Sequence, residues 1–234
     1  MKAMILAAGR GERMRPLTDT TPKPLLRAAG KPLIVHQIER LAAAGFRNIV
    51  VNLAHLGGQI EAALGDGRRF GLEIHYSPET SGALETAGGI THALPLLGDD
   101  AFLVANGDLW CDWDFDQAHR IARDLASDPA RSAHLVLVDN PPYHPEGDFR
   151  LDGESLRSIG DTGGEALTYA GIGVFTPALF AGLPKSTFMK LRPLLDREIA
   201  QGRVTGEHHK GRWFNVGTPE QLAALDRALS METK

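Results

Sequence analysis

Strand-like and helix-like patterns alternate through the first two thirds of the chain, and this alternation restricts the possible fold more than any other feature. Short apolar runs with strand character lie at Lys2–Ala7, Asn48–Leu53, Leu72–Tyr76, Ala101–Ala105 and His134–Val138. Helical periodicity lies between them, at Pro32–Ala44, Gly58–Leu64, Thr86–Leu97 and Asp116–Ser127. Because a helix that connects two strands of one sheet leaves them parallel, this order predicts a mostly parallel, doubly wound α/β sheet.

The pattern changes after Asn140, where prolines, glycines and short alternating runs replace the regular alternation. Three of these runs predict antiparallel ribbons that extend the sheet: Phe149–Leu151, Leu156–Ile159 and Leu167–Phe175. Helical periodicity returns at Leu191–Ala200 and Pro219–Ser230. No internal repeat or flexible linker interrupts the sequence. We therefore predict a single domain over residues 1–234, with an N-terminal portion 1–139 and a C-terminal portion 140–234.

Composition excludes several classes of protein. The net charge of −4 gives no indication of general affinity for nucleic acid or for anionic membranes. A single cysteine, Cys111, excludes an intramolecular disulfide and a metal site built from several thiolates. The apolar runs have the length of strands, and the one at Met1–Ala8 is too short for a signal peptide. We expect a cytoplasmic protein with no membrane span.

A glycine loop follows the first strand and reads Ala8-Gly-Arg-Gly-Glu-Arg-Met-Arg15. Ligands of open parallel sheets bind beyond the carboxyl ends of the strands, where this loop is expected to lie. Gly9 and Gly11 let backbone amides approach phosphates, and Arg13 adds a forked set of donors. A Walker loop needs Gly-Lys-Ser/Thr, which is absent, and the dinucleotide fingerprint needs a third glycine where this chain has Met14.

Lys23 lies between two prolines, Pro22 and Pro24. Each proline restricts its own φ and the conformation of the residue before it, so the lysine sits on a stiff, extended segment. A lysine held in this way suits a position beside a phosphate whose charge changes during a reaction. An ordinary surface turn with a solvated lysine is the alternative for Pro-Lys-Pro alone, and the nearby glycine loop favours the phosphate site.

The stretch from Leu6 to Leu25, with its glycine loop and Pro-Lys-Pro, resembles the signature of the sugar-1-phosphate nucleotidylyltransferases. The resemblance implies a Rossmann-like nucleotidyltransferase fold, with a mixed, mostly parallel central sheet flanked by helices. It also implies that portion 1–139 binds a nucleoside triphosphate and portion 140–234 a sugar phosphate, with Lys23, Arg13 and Asp108 as catalytic residues. The nucleotide-binding residues that it implies are Ala8, Gly9, Gly11, Glu12, Arg13, Lys23, Ala83 and Gly88.

Asp108 completes the tripeptide Asn106-Gly-Asp directly after an apolar strand, at the same edge as the glycine loop. A hard carboxylate oxygen there can hold the Mg²⁺ that neutralises a triphosphate, although a turn capped by its own side chains is the alternative. The resemblance supports the metal ligand and implies a second one, an aspartate in Trp-x-Asp-x-Gly-Thr. This chain reads Trp213-Phe-Asn215-Val-Gly-Thr218, so we expect weaker metal binding by Asn215.

Five residues are candidates for binding the sugar phosphate: Asn106, Asn140, Glu165, Gly171 and Lys190. Asn140 follows a predicted strand at the same edge, Glu165 resembles the glutamate that accepts sugar hydroxyls in the family, and Lys190 is the candidate for the acceptor phosphate. The segments Leu84-Glu-Thr-Ala-Gly-Gly89 and Leu137-Val-Asp-Asn-Pro141 are most like the branch of the family that joins UTP and N-acetylmuramate 1-phosphate in peptidoglycan recycling. Mannose-1-phosphate guanylyltransferases are the nearest alternative within the family. A nucleotide-sugar-binding regulator without turnover is the alternative of another class. The oligomeric state stays open.

Overall fold

The computed structural model describes residues 1–80 and 82–231 of the domain predicted over 1–234. The strands are β1 (Ala3–Leu6), β2 (Arg27–Ala28), β3 (Lys31–Pro32), β4 (Asn48–Leu53), β5 (Glu73–Pro78), β6 (Phe102–Asn106), β7 (Leu109–Cys111), β8 (Ala133–Val138), β9 (Phe149–Asp152), β10 (Ser155–Ser158), β11 (Glu165–Phe175), β12 (Val204–His208) and β13 (Trp213–Asn215). The helices are α1 (Leu17–Thr20), α2 (Leu33–Ala43), α3 (Gly57–Leu64), α4 (Glu85–Leu97), α5 (Gln117–Ser127), α6 (Arg192–Ala200) and α7 (Pro219–Ser230).

A nine-stranded sheet forms the centre of the fold, in the order β5-β4-β1-β6-β11-β8-β12-β10-β9. The pairings β5–β4, β4–β1, β1–β6 and β8–β12 are parallel. The long strand β11 is antiparallel to both β6 and β8, and β10 is antiparallel to β12 and β9. Only β10 and β11 therefore run against the other strands of this sheet, which confirms the predicted mixed, mostly parallel α/β architecture.

Helices cover both faces of the sheet. One face packs against α2, α3 and α5 through residues such as Ile38, Ile60 and Ile121. The opposite face packs against α4 and α6 through Ile90 and Leu194. Parallel strands buried on both faces read as nearly continuous apolar runs, which explains why their positions could be predicted from sequence. Within the described residues, no helix combines the length and the apolar character that a membrane span requires.

A small second sheet brings the C-terminal segment to the central site. Strand β13 pairs antiparallel with β7, so that Asn215 lies opposite Leu109. Helix α7 begins after Thr218, whose hydroxyl accepts a hydrogen bond from the backbone N–H of Gln221 at 3.3 Å. The first turn of α7 is thereby stabilised by an N-cap. The turn before it is held next to the start of β7, because the Val216 N–H donates to the Asp108 carbonyl at 2.9 Å.

Candidate active site

The carboxyl ends of β1, β4 and β6 surround a first cavity of about 280 Å³. Parallel strands end at the same edge of a sheet, so residues from distant parts of the chain meet there. The lining residues are Leu6, Ala7, Ala8, Gly9, Lys23, Pro24, Asn52, Glu79, Ala83, Glu85, Thr86, Asn106, Gly107, Asp108 and Phe188. Of the residues predicted to bind nucleotide, Ala8, Gly9, Lys23 and Ala83 line this cavity.

Gly11 allows the glycine loop to turn back onto Lys23. Its φ is +69°, a left-handed value that L side chains rarely adopt. A Cβ at Gly11 would lie 3.0 Å from the Thr18 methyl group and 3.3 Å from the Lys23 Cβ. The Thr18 hydroxyl donates to the Gly11 carbonyl at 2.9 Å and closes the loop. Glu12, on the same loop, forms an ion pair with Arg10 at 3.5 Å.

Lys23 and Asp108 form an ion pair inside the first cavity. Lys23 is only 9% exposed, which is rare for a lysine and indicates a constrained position. Gly107 precedes Asp108 and packs so closely on β1 that a Cβ there would lie 2.6 Å from the Leu6 carbonyl oxygen. The structure thus brings together Lys23, which is predicted to lie at the reacting phosphates, and Asp108, which is predicted to bind the metal.

A buried glutamine on α2 supports the turn that carries Asp108. The Gln37 side-chain amide donates to the Asn106 carbonyl at 2.5 Å and to the Leu109 carbonyl at 2.9 Å. These two carbonyls flank Gly107 and Asp108. Gln37 is 2% exposed, so each bond lies in a low-dielectric environment where an unpaired carbonyl is costly. Sequence analysis did not identify Gln37, because nothing local distinguishes it from any polar residue of a helix.

Asn215 lies beside Asp108, since the backbone N–H of Val216 donates to the Asp108 carbonyl at 2.9 Å. Tyr143 lies near Asn215 and Arg13. Burial raises the pKa of Tyr143, while Arg13 and Asn215 act in the opposite direction.

Arg13 lies next to the Asn215 turn and does not line the first cavity. Two atoms of its guanidinium group would be 3.0 and 3.2 Å from a Cβ on Gly217. The glycine at position 217 therefore makes room for Arg13 beside Asn215. Arg13, which is predicted to contact the triphosphate, therefore lies beside Asn215, which is predicted to bind the metal.

Two further polar residues, Asn52 and Glu79, form a buried chain that supports the first cavity, and the sequence analysis missed both of them. The backbone N–H of Ala7 donates to Asn52, the Asn52 amide donates to Glu79, and Glu79 accepts from the Leu84 N–H, each at 2.7 Å. A Cβ on Gly89 would lie 2.7 Å from the Glu79 carboxylate. Gly89 therefore allows α4 to pack on this chain. The sequence feature that could have identified Asn52 and Glu79 is that each is a polar residue near the end of a strand.

A second cavity of about 410 Å³ adjoins the first and shares Glu85, Thr86 and Asn106 with it. Its other lining residues are Asp148, Phe149, Tyr169, Lys190, Leu191, Arg192 and Leu195. Burial, together with the nearby negative charge of Asp148, raises the pKa of Tyr169 above its ordinary value. Asn106 and Lys190, both predicted to bind a sugar phosphate, lie together here.

Glu85 occupies the boundary between the two cavities with a φ of +61°. Left-handed backbone at a residue with a Cβ is strained, and such residues concentrate at functional sites. The segment Thr187–Met189 lies against the first turn of α4. Met189 accepts from the N–H groups of Ala87 and Gly88 at 3.0 and 3.1 Å and donates to the Leu84 carbonyl at 2.9 Å. Gly88 contacts the Thr187 carbonyl so closely that it has no room for a Cβ.

Three predicted sugar-phosphate residues lie outside both cavities. The Asn140 amide donates to the carbonyls of Pro145 and Ala166 at 3.1 and 3.0 Å, and so holds the loop after β8. Glu165 is exposed and pairs with His208 at 3.4 Å. Gly171, with φ +77°, lies against Asn106, because a Cβ there would be 2.5 Å from the Asn106 amide nitrogen. Direct contacts of these residues with a sugar stay predictions.

Known proteins resemble this chain in sequence and in fold. The model of the nucleotidyl transferase family matches residues 2–146. A protein named N-acetylmuramate alpha-1-phosphate uridylyltransferase from Neisseria meningitidis is 56% identical, over 93% of this chain and 94% of its own length. A protein of the same name from Caulobacter vibrioides is 39% identical, over 97% of this chain and 96% of its own length.

The fold has a solved counterpart. A crystal structure of a putative glucose-1-phosphate thymidylyltransferase from Bacillus anthracis superposes with a TM-score of 0.82, covering 98% of this chain and 95% of the other, at 22% sequence identity. This similarity confirms the Rossmann-like nucleotidyltransferase fold. Together with the family match and the two relatives, it establishes that the chain belongs to the nucleotidyl transferase family, in its sugar-1-phosphate branch.

Proposed function

We propose that the chain transfers a uridylyl group from UTP to N-acetylmuramate 1-phosphate, giving the UDP-sugar and pyrophosphate, as a cytoplasmic step of peptidoglycan recycling. The observation that carries the proposal is the Lys23–Asp108 ion pair inside a cavity bordered by the glycine loop. Two relatives of nearly the same length carry the corresponding name, and they favour uridylyl transfer over the mannose-1-phosphate guanylyltransferase alternative.

In the proposed reaction, an oxygen of the sugar phosphate attacks the α-phosphorus of UTP. The bond between that phosphorus and the oxygen bridging to the β-phosphate breaks, and pyrophosphate leaves. No covalent enzyme intermediate is required, so the contribution of the protein is positioning and charge stabilisation. Lys23 would stabilise charge that develops on the α-phosphate, and Arg13 the charge on the departing pyrophosphate.

The residues around Asp108 fit a magnesium ion. Asp108 directly precedes β7, and Asn215 is the last residue of β13, the antiparallel partner of β7. The carboxylate and the side-chain amide each offer a hard oxygen, and Mg²⁺ is commonly held by one or two such groups together with substrate phosphates. Bound there, the ion would neutralise triphosphate charge. Asp108 would then exchange its partner Lys23 for the cation, which leaves the ammonium group for phosphate oxygens. Magnesium dependence is part of the proposal.

A pyrophosphate-release assay tests the reaction directly. Each nucleoside triphosphate is combined with N-acetylmuramate 1-phosphate, N-acetylglucosamine 1-phosphate, glucose 1-phosphate and mannose 1-phosphate, with and without Mg²⁺. We expect the highest kcat/KM for UTP with N-acetylmuramate 1-phosphate. A preference for GTP with mannose 1-phosphate would overturn the assignment of base and sugar. Tight nucleotide binding without turnover of any pair would favour the regulator.

A further inference from the structure

Lys190 lies in the wall of the second cavity. Within the described residues, Lys190 forms no hydrogen bond or ion pair. Arg192 and Asp148, two other charged residues that line this cavity, both have partners. Arg192 donates to Asp196 at 2.7 Å and lies over the Phe149 ring at 4.5 Å from its centroid. Asp148 accepts from the backbone N–H of Tyr169 at 2.9 Å.

The backbone of Lys190 is fixed although its side chain is exposed. The preceding residue, Met189, makes three backbone hydrogen bonds with the first turn of α4, which also carries Glu85 and Thr86. The backbone of Lys190 is therefore held at a defined position at the side of the second cavity, and the ammonium group extends from there. Less conformational entropy is lost on binding than for a lysine on a free loop.

The location of Lys190 separates it from the reacting phosphates. Lys23 and Asp108 line only the first cavity, and Lys190 lines only the second. If the acceptor phosphate lies at Lys23, the far side of its sugar ring must extend past Glu85, Thr86 and Asn106 into the second cavity. These three residues line both cavities. The group that meets Lys190 is then a substituent of the ring and not the phosphate.

We propose that Lys190 binds a second anionic group of the acceptor, a carboxylate carried by the sugar ring, and so selects an acidic sugar 1-phosphate over its neutral analogue. This inference rests on the proposed function and names the part of the acceptor that the second cavity recognises. In N-acetylmuramate 1-phosphate the group is the carboxylate of the lactyl ether, which N-acetylglucosamine 1-phosphate lacks. Glu85 repels this carboxylate from the shared wall and directs it towards Lys190.

The test compares the two acceptors on Lys190→Met, Lys190→Arg and the control Lys185→Met. Lys185 is an exposed lysine of the same loop that lines neither cavity. Calorimetry with α,β-methylene UTP, which cannot be cleaved, measures the acceptor Kd, and pyrophosphate release measures kcat/KM. For Lys190→Met we expect both measures to worsen about 10- to 50-fold for N-acetylmuramate 1-phosphate and to change less than about 3-fold for N-acetylglucosamine 1-phosphate.

Lys190→Arg is expected to keep most of the selectivity, and Lys185→Met all of it. Equal losses for both acceptors would assign Lys190 to the phosphate and overturn the inference. Unchanged affinity for both would make it a solvated lysine, which also overturns it. The proposed function fails in a different way: a wild-type protein that binds the acidic sugar through Lys190 without turning it over would contradict the reaction and leave the selectivity intact.

Discussion

Lys23 is the residue whose surroundings differ most from those of an ordinary lysine, since it is buried and paired with Asp108. Lys23→Met is expected to lower kcat/KM at least about 100-fold, because a fixed cation at the reacting phosphate is lost. Lys31→Met is the matched control, since Lys31 pairs with Glu39 at the exposed surface. Pyrophosphate release gives the rates and circular dichroism reports the fold. A Lys23→Met protein with more than a third of wild-type activity would contradict this role.

Asn215 is the one position where the chain departs from the carboxylate that its family pattern implies. Asn215→Asp adds a negative charge beside Asp108 and is expected to lower the Mg²⁺ concentration for half-maximal activity several-fold. Electron paramagnetic resonance of Mn²⁺ gives an independent measure of metal affinity without substrate. Asn48→Asp makes the same chemical change on β4, away from the site, and is expected to alter neither value. An unchanged metal requirement in Asn215→Asp would argue against ligation.

Gln37 acts on Asp108 through the backbone. Gln37→Leu keeps the approximate volume but leaves the carbonyls of Asn106 and Leu109 without their buried donor. We expect about 1–3 kcal/mol of destabilisation and a fall in kcat larger than the change in KM for UTP. Gln59→Leu is the control, because Gln59 donates a single exposed bond to the Thr20 carbonyl at 3.0 Å. If urea unfolding and kcat are the same for both variants, Gln37 does not position the turn.

At the scale of elements, the packing of α5 against β8 and β12 makes stability depend on pH through His134. Its Nδ1 lies 2.9 Å from the Thr205 hydroxyl, and burial, with the positive charges of Arg120 and Arg131, lowers the pKa of His134 to about 4. The unfolded chain, with an ordinary pKa of about 6.5, binds the proton more tightly. This contribution to stability is therefore complete above about pH 6.5 and is lost as the pH falls towards 4.

Urea unfolding at pH 7 and pH 5 measures this effect. We expect the free energy of unfolding of the wild type to fall by about 2 kcal/mol more than that of His134→Gln between these two values. All other titrating groups are common to both proteins, so the difference in slope isolates His134. Parallel pH profiles would show that the imidazole is protonated equally easily in both states.

Elements with a strong local pattern could be predicted closely. Asn48–Leu53 and Pro219–Ser230 have the bounds expected from their apolar periodicity. Strand β12 was not predicted, because Val204-Thr-Gly-Glu-His has neither an apolar run nor clean alternation, and it is a strand because it pairs with β8. The three-residue strands β7 and β13 are too short to show any period.

The same limit applies to the site. Gly11, Lys23 and Asp108 belong to local sequence patterns that indicate phosphate and metal binding. The structure brings these three residues together. Glu79 and Gln37 owe their positions to contacts far apart in sequence, Glu79 through Asn52 and Gln37 through the carbonyls of Asn106 and Leu109. No window of sequence contains both partners of such a contact, so these residues become visible only in the folded chain.

At the scale of the whole molecule, the two portions of the chain interleave in one sheet. Strand β11 of the C-terminal portion lies between β6 and β8 of the N-terminal portion. A fragment of residues 1–139 would lack β11 and leave two apolar strand edges unpaired. We expect this fragment to be unfolded or aggregated, and the full chain to unfold in a single cooperative transition. Two separate transitions in calorimetry, or a folded fragment by NMR, would contradict the single domain.

The wall formed by Glu85, Thr86 and Asn106 belongs to both cavities, and this arrangement has a thermodynamic consequence. A ligand in one cavity fixes side chains that the other ligand also meets, so the two binding equilibria share a coupling free energy. Linkage requires this coupling to be reciprocal: the factor by which nucleotide changes the Kd of the acceptor equals the factor by which the acceptor changes the Kd of the nucleotide. Glu85, with its strained left-handed backbone, is one of the residues that both ligands would contact.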